Sequence, residues 1–201
     1  MERQIYSERR RKIQGIFNRL LKNSKIYQWL TKSQHTTAKH ADPLTGIYNQ
    51  FEINTYLKEL QPLAGASYAI VLLNLDNFKD IQASFGIKAA EKALIKTASI
   101  LTQNIRDTDL IGKYGDHEFI IILSNINLDH ANGVARRCLN LIQKNPLRFA
   151  GKTIPLNASC GVSASHENVV SDHVLQYADR ALFLAKSSGM NQLRDERAIL
   201  T

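Results

Sequence analysis

Cysteines and long apolar runs are scarce in this chain, and each scarcity excludes a class of protein. The two cysteines, Cys138 and Cys160, fit no metal-ligand spacing, so neither a zinc module nor a disulfide scaffold is expected. We expect two buried thiols in a reducing compartment, with a disulfide between them as the open alternative. No apolar run approaches the roughly 18 residues that span a bilayer. Residues 7–12 are mostly charged where a signal peptide would be apolar, so the expected location is the cytoplasm.

Excess positive charge is absent from most of the chain and concentrated at its start. Residues 1–40 hold 10 Lys/Arg and 2 Asp/Glu, whereas residues 41–201 hold 16 of each and balance to zero. The net charge of +8 therefore describes a basic arm and not the domain that follows. No nucleic-acid recognition motif accompanies this charge, so nucleic acid is not an expected partner.

The first 31 residues have the pattern of a basic amphipathic helix. Apolar side chains recur at three- and four-residue spacing among arginines and lysines: Ile13, Ile16, Phe17, Leu20 and Leu21. Three roles stay open for this helix. It could form a homodimer or bind a partner signalling protein, lie on an anionic membrane surface, or pack on its own domain. The second role would place the protein at the inner face of the membrane. We expect residues 1–41 to comprise this helix and a linker.

Strand-like and helix-like segments alternate after residue 41. Their order, β-α-β-β-α-β, predicts an α+β fold, a ferredoxin-like α/β sandwich whose central, mostly antiparallel sheet is flanked by helices. Predicted helices cover 42–60, 88–104, 129–144 and 170–188, and predicted strands cover 68–76, 109–111, 119–123, 148–149 and 154–163. Asp42 and Pro43 are expected to begin the first helix, as its N-cap and its first-turn proline.

The segment from Lys113 to Phe119 joins two of the predicted strands and carries a charged cluster. Gly115 and Asp116 predict a tight β-hairpin, because glycine tolerates positive φ and aspartate is the next most permissive residue. The sequence therefore predicts a turn that presents titratable side chains at its tip.

Four sequence blocks, in order, resemble the GGDEF domain, the family of diguanylate cyclases that make cyclic di-GMP from two GTP molecules. The family's hairpin tip reads Gly-Gly-Asp/Glu-Glu-Phe, and here it reads Gly115-Asp116-His117-Glu118-Phe119. The other blocks are Asp42-Pro43-Leu44-Thr45-Gly46-Ile47-Tyr48-Asn49, Asn74-Leu75-Asp76-Asn77-Phe78-Lys79, and a closing helix with Tyr177-Ala178-Asp179, Ala185-Lys186 and Gly189-Met190-Asn191. The resemblance implies a nucleotide-cyclase-type palm at 42–192 and a C-terminal tail at 193–201, in a bacterial signalling protein.

The resemblance also implies where catalysis and metal binding would lie, and this chain departs from the family there. Asn74, Leu75 and His117 stand at the family's metal positions. Asn74, Asp76, His117 and Glu118 stand at its catalytic positions. An amide and an imidazole thus replace two acids that would hold Mg²⁺, and imidazole nitrogen is a poor Mg²⁺ ligand. We expect no cofactor, or Mg²⁺ or Mn²⁺ if the protein is an active cyclase.

Further positions of the resemblance would contact the nucleotide. Asp116 replaces the second glycine of the tip and places negative charge where a triphosphate would lie. Gln82 and Glu91, each one methylene longer than the family's guanine-reading Asn and Asp, would be residual GTP contacts. Lys79 and Lys186 are retained as contacts to phosphate.

Arg106 and Asp109 form an Arg-x-x-Asp pair at the offset of the family's inhibitory site for cyclic di-GMP. Arginine can bind guanine O6 and N7 with two hydrogen bonds, and a carboxylate can accept from guanine N–H groups. Arg136 or Arg137 of the following helix is expected to complete the site. The alternative is a surface arginine paired with a neighbouring aspartate, a contact of little energetic value.

Three functional hypotheses result. The first is a catalytically degenerate GGDEF domain that acts as a cyclic di-GMP receptor through Arg106 and Asp109. The second is a weak or active diguanylate cyclase. The third is a protein-binding regulator that needs no nucleotide.

Overall fold

The computed structural model describes residues 40–60, 67–165 and 171–199, so the amphipathic helix predicted at 1–31 lies outside the described residues. The helices are α1 (Gln50–Leu60), α2 (Phe78–Phe85), α3 (Ile87–Gln103), α4 (Leu128–Lys144) and α5 (Ser171–Ser187), with a 3-10 helix at Glu196–Ile199. The strands are β1 (Tyr68–Leu75), β2 (Leu110–Lys113), β3 (Glu118–Ser124), β4 (Leu147–Phe149), β5 (Lys152–Ile154), β6 (Ala158–Ala164) and β7 (Leu193–Asp195). None of these described helices is both long enough and apolar enough to cross a membrane.

Five strands form the main sheet, in the order β2-β3-β1-β6-β7. The central strand β1 pairs antiparallel with β3 on one side and with β6 on the other. β2 pairs antiparallel with β3 as a hairpin, and β7 runs parallel to β6 at the opposite edge. The predicted ferredoxin-like arrangement, with its mostly antiparallel central sheet, is therefore confirmed.

Alternate residues of β1 face two separate apolar cores. The odd-numbered residues from 69 to 75 pack with α3 and α4 on one face of the sheet. The even-numbered residues from 68 to 72 pack with α1 and α5 on the other face. All residues of β1 are buried, because helices cover both sides of the strand, and this is why its sequence is apolar from Tyr68 to Leu73.

Helix α5 lies directly on β6, and Gly161 permits this approach. A Cβ at position 161 would lie 2.0 Å from Ala178 O and 2.2 Å from Leu182 N. Both are backbone atoms that cannot rotate away, so any side chain here would push α5 from the sheet. The glycine thus fixes the height of the helix that carries Lys186.

The first helix begins later than the sequence predicted. Asp42 does not cap it, because Asp42 Oδ1 accepts from Thr45 N at 2.8 Å and from Thr45 Oγ1 at 2.5 Å. These bonds close a turn before the helix. The helix itself begins at Gln50, after Asn49 Oδ1 accepts from Glu52 N at 2.9 Å. An Asx turn and an N-cap use the same side-chain acceptor, so the sequence pattern of the two is alike.

The predicted strand 154–163 is divided between two sheets. β5 ends at Ile154 in a two-stranded hairpin with β4, whereas β6 begins at Ala158 and belongs to the main sheet. Pro155 lies between them and has no N–H with which to continue a ladder. Residues 193–199, predicted as a tail, form β7 and the 3-10 helix, where buried Glu196 accepts from Ser163 Oγ and Ala164 N.

The two cysteines are buried, as predicted, and the disulfide left open by the sequence is not formed. Burial raises the pKa of Cys138 to about 11 and raises the pKa of Cys160 further. Neither thiol is therefore ionised at neutral pH, and neither has the exposed thiolate that reactivity requires.

Candidate functional site

The end of β1 and the tip of the β2–β3 hairpin meet at one end of the sheet. The register pairs Asn74 of β1 with Glu118, the first residue of β3. Leu75 N donates to His117 O at 3.1 Å and holds the last loop residue of the hairpin against β1. The residues at the family's catalytic and metal positions therefore lie side by side.

Asn74 joins a cation to an anion inside this cluster. Its Nδ2 donates to Glu118 Oε1 at 2.9 Å, and its Oδ1 accepts from Lys186 Nζ at 3.0 Å. Asn74 is only 1% exposed, so this orientation of the amide is the one that satisfies both of its ends. We call Lys186, Asn74 and Glu118 together the amide bridge.

The hairpin tip is held by backbone contacts and by Lys113. Tyr114 N donates to Glu118 O at 3.0 Å, and Lys113 Nζ donates to the carbonyls of Gly115 and Asp116. The predicted hairpin is present, but Gly115 does not have the expected positive φ. Its lack of a side chain matters instead, because a Cβ there would lie 2.8 Å from Glu118 Oε2. Burial lowers the pKa of Lys113, while Asp42, Asp116 and Glu118 oppose that shift.

His117 is packed against an aromatic ring instead of facing a cation. Its imidazole stacks on Phe78, with 5.0 Å between ring centroids and an interplanar angle of 3°. Burial lowers the pKa of His117, and the positive charge of Lys186 lowers it further. The imidazole is therefore neutral at pH 7. Its buried Nδ1 has no hydrogen-bond partner among the described residues.

Asp76 retains the family's acid but uses it to join three segments. Asp76 Oδ2 accepts from Ser159 Oγ at 3.0 Å and from Asn191 N at 2.9 Å. These bonds connect the end of β1 to β6 and to the segment after α5. The carboxylate therefore holds the frame in which Asn74 and Lys186 meet.

The donor set at this end of the sheet does not fit Mg²⁺. Within the described part of the chain, no three His, Cys, Asp or Glu side chains are placed to hold a metal ion. The oxygen at the principal ligand position, Asn74 Oδ1, already faces an ammonium group 3.0 Å away. Mg²⁺ prefers several hard oxygen ligands, and here it would have to displace Lys186 to gain one neutral oxygen.

The remaining nucleotide positions lie on the surface of two neighbouring helices. Lys79 and Gln82 of α2 and Glu91 of α3 are all exposed. No hydrogen bond within the described residues joins their side chains to the amide bridge. Lys186, which the sequence predicts as a phosphate contact, donates from Nζ to Asn74 Oδ1 at 3.0 Å.

The Arg-x-x-Asp pair lies in the turn between α3 and β2. Asp109 Oδ2 accepts from Arg106 N at 2.9 Å, and Asp109 Oδ1 accepts from Ser124 N at 3.1 Å. Burial raises the pKa of Asp109, while these two N–H bonds and the charges of Arg106 and Arg137 oppose that shift. Asp109 thus shapes the turn and ties it to β3, and the exposed Arg106 side chain is left to face solvent.

A cleft of about 430 Å³ lies beside Arg106. Its lining comes from three segments: Ser67, Arg106, Asn125, Ile126, Asn127 and His130. His130, which the sequence did not single out, is in the first turn of α4, where Asn127 Oδ1 accepts from its backbone N–H at 3.0 Å. No sequence motif marks this histidine, because the fold alone brings the start of α4 to Arg106.

The two candidate arginines of α4 lie in different surroundings. Arg137 Nη2 donates to Asn104 O at 2.7 Å, and its charge acts on Asp109. Arg136 acts instead on the buried thiol of Cys160 in β6. Successive helical residues differ by about 100° in direction, so only Arg137 is turned toward the Arg-x-x-Asp turn.

Known proteins match this chain over most of its length. The profile of the family "Diguanylate cyclase, GGDEF domain" matches residues 39–192. The chain belongs to the GGDEF family of diguanylate cyclases. The GGDEF membership predicted from the four sequence blocks is thereby confirmed.

Curated relatives of this GGDEF domain are longer proteins. Diguanylate cyclase DgcP of Pseudomonas aeruginosa is 30% identical over 155 residues, which cover 76% of this chain and 23% of the relative. Diguanylate cyclase DosC of Escherichia coli is 28% identical over 163 residues, which cover 79% of this chain and 35% of the relative. The chain thus spans about a quarter to a third of the curated relatives it matches.

Solved GGDEF structures share the fold. Diguanylate cyclase SiaD in complex with its activator SiaC, from Pseudomonas aeruginosa, matches with a TM-score of 0.75 and 26% identity over 96% of this chain and 77% of that one. A microbial GGDEF domain with cyclic di-GMP matches with a TM-score of 0.67 and 25% identity. The match covers 78% of this chain and 98% of that one. The GGDEF domain of DgcB from Caulobacter crescentus, in complex with cyclic di-GMP, matches with a TM-score of 0.74 and 18% identity, over 79% of this chain and 96% of that one. At this identity the likeness shows the fold alone.

Proposed function

We propose that this GGDEF domain is a cyclic di-GMP receptor that does not carry out the cyclase reaction. The observation that carries the first half is the amide bridge. Lys186 Nζ is 3.0 Å from Asn74 Oδ1, the oxygen that would have to bind a metal ion. Asn74 Nδ2 donates a hydrogen bond to Glu118 Oε1 at 2.9 Å.

The charges of the amide bridge oppose metal-dependent phosphoryl transfer. That chemistry uses divalent ions to neutralise the triphosphate and to activate the attacking hydroxyl. Within the amide bridge, Asn74 joins the cation Lys186 to the acid Glu118. The neutral His117 adds no negative charge, and its stacking on Phe78 uses one face of the ring. A divalent ion would therefore meet an ammonium group at Asn74 Oδ1, while Asp76 Oδ2 already accepts hydrogen bonds from Ser159 and Asn191.

The receptor half rests on Arg106 and the cleft beside it. Arg106 is exposed, and the roughly 430 Å³ cleft that it lines has the size of a small-ligand site. A guanidinium can donate two hydrogen bonds to guanine O6 and N7. Arg137 adds positive charge from α4, which favours an anionic dinucleotide. Asp109 acts by holding the Arg106 backbone, since both its oxygens accept backbone N–H groups. A similar solved GGDEF domain, 25% identical to this chain, is in complex with cyclic di-GMP.

Calorimetric titration of the full chain tests the receptor half. Loss of a bidentate, charge-assisted contact is worth about 1.5–3 kcal/mol, so Arg106→Ala should weaken cyclic di-GMP binding by about 10- to 100-fold. Arg180→Ala, which removes an exposed arginine outside the cleft, is the matched control and should leave binding unchanged. Equal affinity of the Arg106→Ala variant and the wild type would contradict the assignment.

An assay of GTP turnover tests the loss of catalysis separately. We expect no cyclic di-GMP from GTP with either Mg²⁺ or Mn²⁺. Asn74→Ala serves as the control for a contaminating cyclase, because contamination would persist in it unchanged. Product formed by the wild type and lost in Asn74→Ala would favour the weak cyclase, the activity after which the curated relatives are named.

Residues 1–31 carry the output in this proposal. Their basic amphipathic pattern suits a homodimer, a partner signalling protein or the inner face of an anionic membrane. One similar structure is a diguanylate cyclase bound to its activator, which supports a protein partner. Light scattering over a range of concentrations, with and without cyclic di-GMP, should show a change in molar mass if the arm forms a ligand-dependent dimer. A constant monomer mass would exclude the homodimer.

A further inference from the structure

One face of the domain carries positive charge that the remainder of the domain does not share. Helix α3 and residues 144–154 contain six cations and one acid: Lys88, Lys92, Lys96, Lys144, Arg148, Lys152 and Glu91. Residues 41–201 as a whole hold 16 cations and 16 acids, so this net +5 is balanced by a net −5 elsewhere. Mixed signs are sufficient for solubility, whereas a single-sign face generates a field that attracts a ligand of opposite charge.

A cleft of about 410 Å³ opens in this face, where the end of α4 and the start of β4 meet α3. It is lined by Lys96, Lys144, Asn145, Pro146, Leu147 and Arg148, and we call it the basic cleft. Lys96 Nζ donates to Pro146 O at 2.8 Å, which leaves two ammonium N–H groups for a ligand. Within the described part of the chain, none of its three cations forms an ion pair.

The lysines around the basic cleft are held in place by neighbouring rings. Lys92 Nζ lies 5.3 Å from the centroid of the Phe149 ring, and Lys152 Nζ lies 5.6 Å from that of Phe85. Such cation–π contacts restrict the side chains without neutralising their charge. These two lysines beside the cleft, and Lys96 through its bond to Pro146 O, are thus held in place, so a ligand loses less of their side-chain entropy on binding.

The basic cleft is independent of the proposed cyclic di-GMP site. The two clefts share no lining residue. They lie at opposite ends of the 17-residue helix α4, one beside His130 and the other at Lys144. At about 1.5 Å of rise per residue, His130 and Lys144 are roughly 20 Å apart along the helix.

We propose that the basic cleft binds a ligand that carries several phosphate groups, either the headgroups of an anionic bilayer or a free polyphosphate. Arginine and lysine donors without acids are the arrangement that phosphate oxygens require. Four of its six lining residues are polar or charged, and Leu147 and Pro146 are the two apolar members.

Matched pairs of substitutions in the full chain test the proposal. Lys144→Gln/Arg148→Gln removes two charges from the basic cleft, and Lys58→Gln/Arg180→Gln removes two exposed charges from α1 and α5. Both variants keep the basic arm, so any contribution from it is equal in the two. The probes are tripolyphosphate, measured by calorimetry, and phosphatidylcholine vesicles with and without phosphatidylglycerol, measured by co-sedimentation. Thermal unfolding and cyclic di-GMP titration verify that each variant is folded.

The wild type and the α1/α5 variant should bind alike, and the basic-cleft variant roughly tenfold or more weakly. Loss of tripolyphosphate binding identifies a soluble polyphosphate as the source, and loss confined to phosphatidylglycerol vesicles identifies the lipid headgroup. Equal weakening of both variants, or binding that neither variant changes, would overturn the proposal. Capture of single-stranded RNA in the absence of binding to either phosphate probe would overturn it as well.

Discussion

Replacing Asn74 by aspartate tests the amide bridge, because the substitution returns an acid to β1 without changing the size of the side chain. In the wild type, Asn74 Nδ2 is 2.9 Å from Glu118 Oε1 and Asn74 Oδ1 is 3.0 Å from Lys186 Nζ. In the variant, a carboxylate oxygen takes the place of Nδ2, so two carboxylate oxygens face each other.

The expected magnitude follows from these two distances. At these distances and an effective dielectric constant of about 20, the introduced carboxylate is repelled by Glu118 by about 6 kcal/mol. It is attracted by Lys186 by nearly as much. The two terms almost cancel. What remains is the lost charge-assisted hydrogen bond to Glu118, about 1.5–3 kcal/mol, and the cost of keeping a carboxylate where Asn74 is 1% exposed. We expect Asn74→Asp to lower the free energy of unfolding by about 3 kcal/mol near neutral pH.

The loss should depend on pH in a defined direction. Two facing carboxylates take up a shared proton, so the pKa of the pair in the folded variant lies above the unfolded value of about 4. Stability is then fully present below that unfolded value and is lost as pH rises through the folded one. Urea unfolding followed by far-UV circular dichroism, at about pH 5.5 and about pH 7.5, should show the smaller loss at the lower pH.

Glu118→Gln in the Asn74→Asp background provides the control. The glutamine amide can donate to the introduced carboxylate, so the double variant should return to within about 1 kcal/mol of the wild type. If Asn74→Asp alone matches the wild type at both pH values, Asn74 does not join Lys186 to Glu118. The argument against a metal site at this end of the sheet would then fail.

Two further predictions concern the frame of the site. Gly161→Ala should lower the free energy of unfolding by about 4 kcal/mol or more, since the new Cβ would lie 2.0 Å from Ala178 O. The control Gly133→Ala, with nothing within 4 Å of its Cβ, should stabilise α4 by about 0.5–1 kcal/mol. If Gly161→Ala and the wild type unfold at similar urea concentrations, the packing of α5 on β6 does not need Gly161. The pKa of His117 is lowered from 6.5, so its contribution to stability is present above that value and lost as pH falls below it. His117→Phe, which can keep the stack on Phe78, should remove that part of the pH dependence of unfolding, and an unchanged profile would contradict the assignment.

The main sheet and its order of elements could be predicted because they depend on local periodicity. The apolar runs at 68–73 and 119–123 and the helical spacings between them are visible without tertiary information. The start of α1 could not be placed, because Asp42 and Asn49 both have the chemistry of a cap. Strand β7 was missed because three residues carry no periodic signal, and its pairing with β6 exists only after α5 has packed.

Part of the candidate site could be predicted as well. Asn74, His117 and Glu118 were grouped from the sequence and lie together. The contact of Lys186 with Asn74 could not be foreseen, because it spans 112 residues and depends on the position of α5. The hydrogen bonds from Lys113 Nζ to the carbonyls of Gly115 and Asp116 also could not be foreseen, because they depend on the conformation of the lysine side chain. No sequence pattern indicates that side-chain conformation.

Strand β7 lies beyond the end of the family match, and a domain that ended with the match would lack it. The match stops at residue 192, one position before β7 begins. A chain shortened there would leave one side of β6 without its neighbour, and would remove the buried carboxylate of Glu196 that holds Ser163 and Ala164. An uncovered strand edge recruits strands from other molecules. Residues 193–195 thus cover this edge of β6, and a domain that lacks them should associate with other molecules more readily.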